Sequence, residues 1–387
     1  MIEIENSLGS LLGYLHEVPE PRQQSKIEYP LDEILLLTIS AVVSGCSEWQ
    51  EIVDFGEDKL IWLRQYRPFT SGIPSHDTLN RVVSLIDPEA FEKMFINWVK
   101  QHLKLPEGIL VSIDGKKLRG SASKQSQQTS RAGGGQSAVY LVEAWCSSLS
   151  LCLSTRKVDE KSNEIKAIPL ILNDIDLKGC VVSIDAIGCQ KDIVKKIISC
   201  EANYVIGLKD NQPSFLAGVE QAFETYSNRC QGKLFAKETV VDHGRIEERT
   251  CRILSTDLLP DYVPKADWAG LNTIVQIQTE RTIMASGTVG RECRYYISSL
   301  TLSAEQIAPY VRGHWGIENQ LHYMLDVFWG EDYSRKQTAN AATNFGTILR
   351  IAHNLVKSYP ETISVKRKLK KADRSDEYRE KILRFIP

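Results

Sequence analysis

Apolar positions along the first hundred residues recur at helical spacing. Leu31 to Val43 is a nearly continuous apolar run that follows Pro30, carries Asp32 and Glu33 in its first turn and stops at Gly45. Trp49, Ile52, Val53, Phe55, Leu60, Ile61 and Leu63 continue the helical spacing. Ser75 suits the cap of a helix running to Ile86. Asp87-Pro88-Glu89 then offers a cap, a proline at the first helical position and an early carboxylate for the next helix. Residues 1–104 therefore read as a helical domain. Past Pro106 the pattern changes. ILVSI (109–113) is a short buried strand that runs into Asp114-Gly115, and the polar stretch after it, with three consecutive glycines, reads as a loop.

Two strand-like runs, 138–146 and 149–158, are separated by Ser147-Ser148 as in a hairpin. A helix fits Asn163 to Leu172. CVVSIDA (180–186) is a second buried strand ending in an acid, Asp185, and a helix (Gln190 to Ser199), a strand (Asn203 to Leu208) and a helix (Pro213 to Phe223) follow. Antiparallel strands followed by alternating helix and strand predict a mixed sheet covered by helices. The division expected is a helical domain (1–104), the first part of the sheet core (105–232), a β-rich insertion (233–300), a helical completion of the core (301–360) and a charged tail (361–387). There is no internal repeat.

Composition narrows the functional classes. The chain has 387 residues, 42% apolar and 25% charged, which suits packed domains and argues against wholesale disorder. With 47 basic and 49 acidic side chains the net charge of −2 excludes a globally cationic binder and leaves local basic patches open. No apolar run has the length of a membrane span, and MIEIENSLGS lacks the basic-then-apolar order of a signal peptide, so a cytoplasmic protein is expected. The nine cysteines include no C-x-x-C pair and read as reduced, buried thiols.

The chemistry lies in the acids. Asp114 and Asp185 end two buried strands, at the sheet edge where open α/β folds bind ligands; a turn-capping role is the alternative for either one. RGHWGIEN (312–319) sets Glu318 among an arginine, a histidine, a tryptophan and two glycines at the start of an amphipathic helix, where a surface role is the alternative. The segments IPSHDTLNRVVSLIDPEAFE, IDGKKLRGS, VDEKSNEIKAIPLIL, IDAIGCQKDI, YVIGLKDNQP, DHGRIEERT, RYYISSL and RGHWGIENQLHYMLDV, in this order, resemble those of the ISAs-type insertion-sequence transposases, the group that includes the H-repeat-associated proteins.

The resemblance covers the chain from about residue 15 to its end. It implies a DDE transposase with an RNase H-like core, Asp114, Asp185 and Glu318 being the catalytic and metal-holding acids. It also implies Mg²⁺ or Mn²⁺, two ions per site, and DNA as partner, both as terminal inverted repeats and as target. A homodimer assembled on DNA ends and a nucleoid-associated location in the cytoplasm complete the expectation. Many relatives in the wider superfamily have tyrosine, arginine and lysine at −7, −4 and +7 from the glutamate, where this chain has Val311, His314 and Leu325. Lys116, Lys117, Arg119, Arg245, Arg312 and His314 are candidate DNA contacts, with Lys124, Arg131 and His243 beside them. His76, Thr78, Asn80 and Arg81 suit a helix that enters the major groove. Trp315 and Trp329 read as core anchors and His322 as a structural residue. A DNA-binding copy without activity and a nuclease without strand transfer are the alternatives.

Overall fold

The computed structural model describes residues 7–122, 138–158, 164–242 and 244–384. The amino-terminal helices are α1 (Ser7–Glu17), α2 (Leu31–Val43), α3 (Trp49–Leu63), α4 (His76–Leu85) and α5 (Pro88–His102). Helix α2 has the bounds its apolar run predicts and is buried on nearly every face, as a helix without a polar stripe must be. Ser75 caps α4, its hydroxyl accepting from the Thr78 amide at 3.3 Å, and Pro88 opens α5 where a missing N–H costs nothing.

Strands β1 (Leu110–Leu118), β2 (Val139–Cys146) and β3 (Leu151–Val158) follow, then α6 (Glu164–Asp174), β4 (Val181–Ile184), α7 (Lys191–Ser199), β5 (Asn203–Leu208) and α8 (Pro213–Tyr226). The expected β-rich stretch comprises β6 (Phe235–Asp242), β7 (Arg245–Ser255), β8 (Thr273–Ile283) and β9 (Val289–Ser298). Last come α9 (Ala304–His314), α10 (Tyr323–Trp329), α11 (Ala341–Ser358), α12 (Val365–Arg374) and α13 (Asp376–Arg384). The strand order is β3-β2-β1-β4-β5-β9-β8-β7-β6, a nine-stranded mixed sheet of the α/β class expected. The inserted strands prolong this sheet, because β9 pairs antiparallel with β5 from Val205↔Ser298 to Leu208↔Tyr295.

The chain forms two compact units, one of residues 1–104, 115–167 and 318–387, the other of 105–114 and 168–317. In the second, β1 pairs in parallel with β4, and β4 in parallel with β5. Val181, Val205, Ile253 and Val275 of this sheet pack against Ile307 and Val311 of α9. Ser303 caps that helix in a reciprocal box with Gln306. In the first unit, α11 is buried along almost its whole length, and Asn354 on it bonds both backbone groups of Cys152 on β3, at 2.9 and 2.8 Å.

Two expectations are corrected. The polar segment after Asp114 is not a loop from its start: β1 continues to Leu118 and a 3₁₀ turn spans Arg119–Ser121. Leu118 joins Val139 and Leu141 in a small apolar cluster that holds the strand there. The charged tail is a pair of packed helices, with Leu369 and Ala372 of α12 and Ile382 and Leu383 of α13 buried. Its lysines alternate with apolar positions at helical spacing, which a reading by charge alone overlooks.

Candidate active site

Asp114 and Asp185 are brought together by the sheet. Ile113 stands opposite Ile184 in the parallel β1–β4 register, so each aspartate follows the last paired residue at the same end of adjacent strands. The Asp185 carboxylate accepts from the Ile187 amide at 3.0 Å and caps a 3₁₀ turn, Ala186–Gly188. A side chain at Gly188 would meet Ile184 Cγ2 at 2.4 Å, so this tight turn requires glycine. Asp114 is half-buried. Both acids belong to the second unit, with His314 at the end of α9. His314 Nδ1 lies 3.0 Å from Ser183 Oγ, which donates to Ser112 Oγ at 3.0 Å. Burial pushes the His314 imidazole down to about 4, against the attraction of Asp185. His314 is therefore neutral near pH 7 and tied to the sheet, which does not suit the phosphate contact expected of it.

Arg312 is also engaged, its guanidinium donating to both Glu238 oxygens at 2.6 and 2.8 Å, although both side chains are half exposed. Arg245 is exposed at the start of β7. His243, Lys124 and Arg131 lie outside the described residues.

Glu318 is exposed and belongs to the first unit, in a π-helical turn, Ile317–His322, that leads into α10. Lys116 does not face solvent as expected. It is 6% exposed, with Nζ 2.7 Å from Asp326 Oδ1 and 3.0 Å from Glu331 Oε2, and it donates to the His322 carbonyl at 3.1 Å. Burial works against this ammonium, yet Glu331 and Asp326 outweigh it and raise its pKa. A cation held this way has no donor left for phosphate. Its neighbours differ: Lys117 is exposed, 5.4 Å over the Tyr140 ring, and Arg119 is 79% exposed, its guanidinium 3.4 Å from Asp332.

Lys116 is part of a buried network that sequence reasoning missed. Glu143, on β2, receives Arg350 Nε at 2.6 Å and faces His322 Nε2 at 2.9 Å. Arg350 also bonds Glu331 and donates to the Gly346 carbonyl at 3.0 Å. Glu143 and Arg350 are both 0% exposed. Burial disfavours the Glu143 carboxylate, but Arg350 and His322 hold it well below the usual carboxylate range. The signal was a charge inside an apolar run, in VYLVEAWC and again in GTILRIAHNL. His322 is buried, with its ring against Glu143. Trp329 is a core anchor, its indole N–H donating to the Val42 carbonyl at 2.8 Å. Trp315 is not one: it is 42% exposed, with the Arg294 guanidinium 4.7 Å from its ring centre. On α4, His76 and Arg81 are exposed, while Asn80 is partly withdrawn and donates to Thr338 Oγ1 at 3.2 Å.

Among the described residues, no group of three His, Cys, Asp or Glu side chains has metal-holding geometry, and no helix is long and apolar enough to cross a membrane. The nine cysteines are free thiols, six of them buried.

Comparison with known proteins agrees with this architecture. The family model "DDE_Tnp_1-associated" matches residues 12–99, and "Transposase DDE domain" matches residues 106–355. "Putative transposase YncI" of Escherichia coli O157:H7 is 39% identical over 97% of this chain and 95% of its own length. "H repeat-associated putative transposase YhhI" of Escherichia coli K12 is 38% identical over 97% of this chain and 98% of its own. "Inactive transposase YbfQ" of the same strain is 49% identical but aligns with only 20% of this chain. A cryo-EM structure of a piggyBac transposase synaptic complex with hairpin DNA aligns at TM-score 0.44 and 11% identity, over 99% of this chain and 82% of its own, too loosely to carry residues across. The DDE domain match spans more than half of the sequence and the full-length relatives agree with it, so the chain belongs to the DDE transposase family, whose members are in general metal-dependent.

Proposed function

We propose that this protein is the transposase of a bacterial insertion sequence. It hydrolyses phosphodiesters at the element's ends and joins the freed 3′-hydroxyl to target DNA, with Asp114, Asp185 and Glu318 as its three acids. The observation that carries the reading is the register of β1 on β4, which sets two aspartates at the same end of adjacent parallel strands. The DDE domain match includes all three positions.

The donor set fits a hard divalent cation. Three carboxylates with no thiolate suit Mg²⁺ or Mn²⁺, which take oxygen ligands and keep several waters. Asp114, Asp185 and Glu318 would hold two such ions, which when bound supply an activated water and charge at the leaving oxygen. The chain's own task is to present the acids and grip the DNA. Among the described residues after Asp114, Lys117 and Arg119 are exposed cations, and they suit sequence-independent phosphate contact. Recognition of the terminal repeats falls to the helical domain, where His76 and Arg81 are exposed on α4. A homodimer on paired ends accounts for concerted joining of the two ends.

The test is Asp114→Asn, assayed for nicking of a terminal duplex in Mg²⁺ and for binding to the same duplex. Loss of nicking with binding retained supports the assignment. Nicking at the wild-type rate removes Asp114 from the site, and nicks by the wild type that never yield joined products make the protein a nuclease.

A further inference from the structure

Glu318 stands near the start of a π-helical turn whose last residue, His322, is held from two directions. On one side the His322 ring meets Glu143 at 2.9 Å; on the other its backbone carbonyl accepts from Lys116 at 3.1 Å. The ionised Glu143 carboxylate can only accept hydrogen bonds, so His322 Nε2 carries the hydrogen of this bond. Glu143 is itself fixed by Arg350, and Lys116 reaches one turn further to Asp326 at 2.7 Å. Single π turns interrupt an α-helical ladder at a cost, and they recur at functional sites. Glu318 and His322 share this one π turn, so what pins His322 bears on the backbone that presents Glu318.

The chemistry of the pin is informative. Replacing a buried ionic cluster with apolar side chains is often neutral or stabilising, so stability alone gives little reason to keep one. A fully satisfied network does fix geometry, because each donor and acceptor admits few arrangements. The cluster formed by Lys116, Glu143, His322, Asp326, Glu331 and Arg350 lies within one compact unit, together with Glu318.

We infer that His322, oriented by Glu143 and Lys116, is a positioning residue that sets the direction of Glu318. This rests on the reading of Glu318 as the third acid, and the experiment separates the two claims. Three variants are compared with wild type: His322→Ala, His322→Gln, whose amide can still donate to Glu143, and Glu318→Gln. Each is assembled on terminal duplex and measured for Mn²⁺ binding by electron paramagnetic resonance, duplex affinity, thermal midpoint and single-turnover nicking. Loss of an outer partner of a metal ligand typically weakens metal affinity by about 10–100-fold, which is the shift expected for His322→Ala. A displacement of the acid by about 1 Å predicts a fall in nicking of roughly 100-fold. Duplex affinity should stay unchanged, and His322→Gln should recover most of both losses. A role in stability alone would lower the midpoint and leave the Mn²⁺ affinity of the folded fraction unchanged. If the alanine variant melts, His322→Leu keeps the volume while still lacking the donor.

Wild-type Mn²⁺ affinity and nicking in a folded variant without the donor overturn the positioning role, provided Glu318→Gln is inactive. Wild-type behaviour of Glu318→Gln overturns the assignment of the third acid, whatever His322 does.

Discussion

Arg350→Met removes the charge at the centre of the buried network and keeps most of the side chain's volume. In the wild type Arg350 is 0% exposed, donates to Glu143 at 2.6 Å and also bonds Glu331. Burial opposes both carboxylates, and Arg350 is the largest influence that keeps them ionised. Without it, Lys116 is the cation left at Glu331, and His322 and the Cys152 thiol are left at Glu143. Removing one partner of a buried pair costs about 3–5 kcal/mol, more than a surface pair could contribute. At about 2–4 °C per kcal/mol for a domain of this size, the midpoint should fall by roughly 6–20 °C at pH 7. The pH dependence has a definite sign. In the wild type both carboxyls lie below their unfolded values, so their stabilisation is present above about pH 4.3 and is lost below it. In the variant burial is no longer outweighed, and the folded carboxyls rise above their unfolded values. Their penalty is full at neutral pH and relieved as the pH falls through the raised values. Scanning calorimetry at pH 7 and pH 5, at one ionic strength and scan rate, should show the gap between wild type and variant narrowing on acidification. Equal midpoints, or a gap that widens toward pH 5, would refute the reasoning.

The cations after Asp114 should separate by role. Lys117→Ala with Arg119→Ala should lower the slope of log affinity against log salt by up to about 1.8 on duplex DNA, equally for terminal and unrelated sequences. Lys116→Met should leave that slope unchanged and lower the thermal midpoint, because its ammonium is buried in ion pairs; a salt titration of each variant checks both. Gly120→Ala should cost about 1–3 kcal/mol, because its methyl would meet the Ser334 carbonyl oxygen at 2.2 Å, and a backbone atom cannot swing aside. An unchanged midpoint would mean that the 3₁₀ turn shifts freely.

Much of the fold was legible because the elements obey their local periods. Leu31–Val43 and Asn203–Leu208 end where the apolar patterns end. Asp185 follows the short buried strand that ends at Ile184, as its apolar run predicts, whereas β1 runs past Asp114 to Leu118. Side-chain direction was not legible. Lys116 sits in a basic run and reads as a phosphate contact, yet β1 continues past Asp114 and buries that side chain beside Glu331. Glu143 and Arg350 lie far apart in sequence and gave only the weak signal of a charge inside an apolar run. His314 looked like a DNA ligand from its place beside Glu318 in the motif, and it is instead bonded to Ser183 on β4. In each case the contact that decides the role is long-range, and no pattern within one segment carries it.

In the proposed reaction Asp114, Asp185 and Glu318 hold the reacting ions. The most direct measurement is a structure of the protein on its terminal duplex in Mn²⁺, with the ions located by anomalous scattering. Manganese should be coordinated by carboxylate oxygens of Asp114 and Asp185, with Glu318 completing the set, at about 2.0–2.3 Å. Manganese bound elsewhere, or Glu318 remote from ions held by the two aspartates, would contradict this assignment.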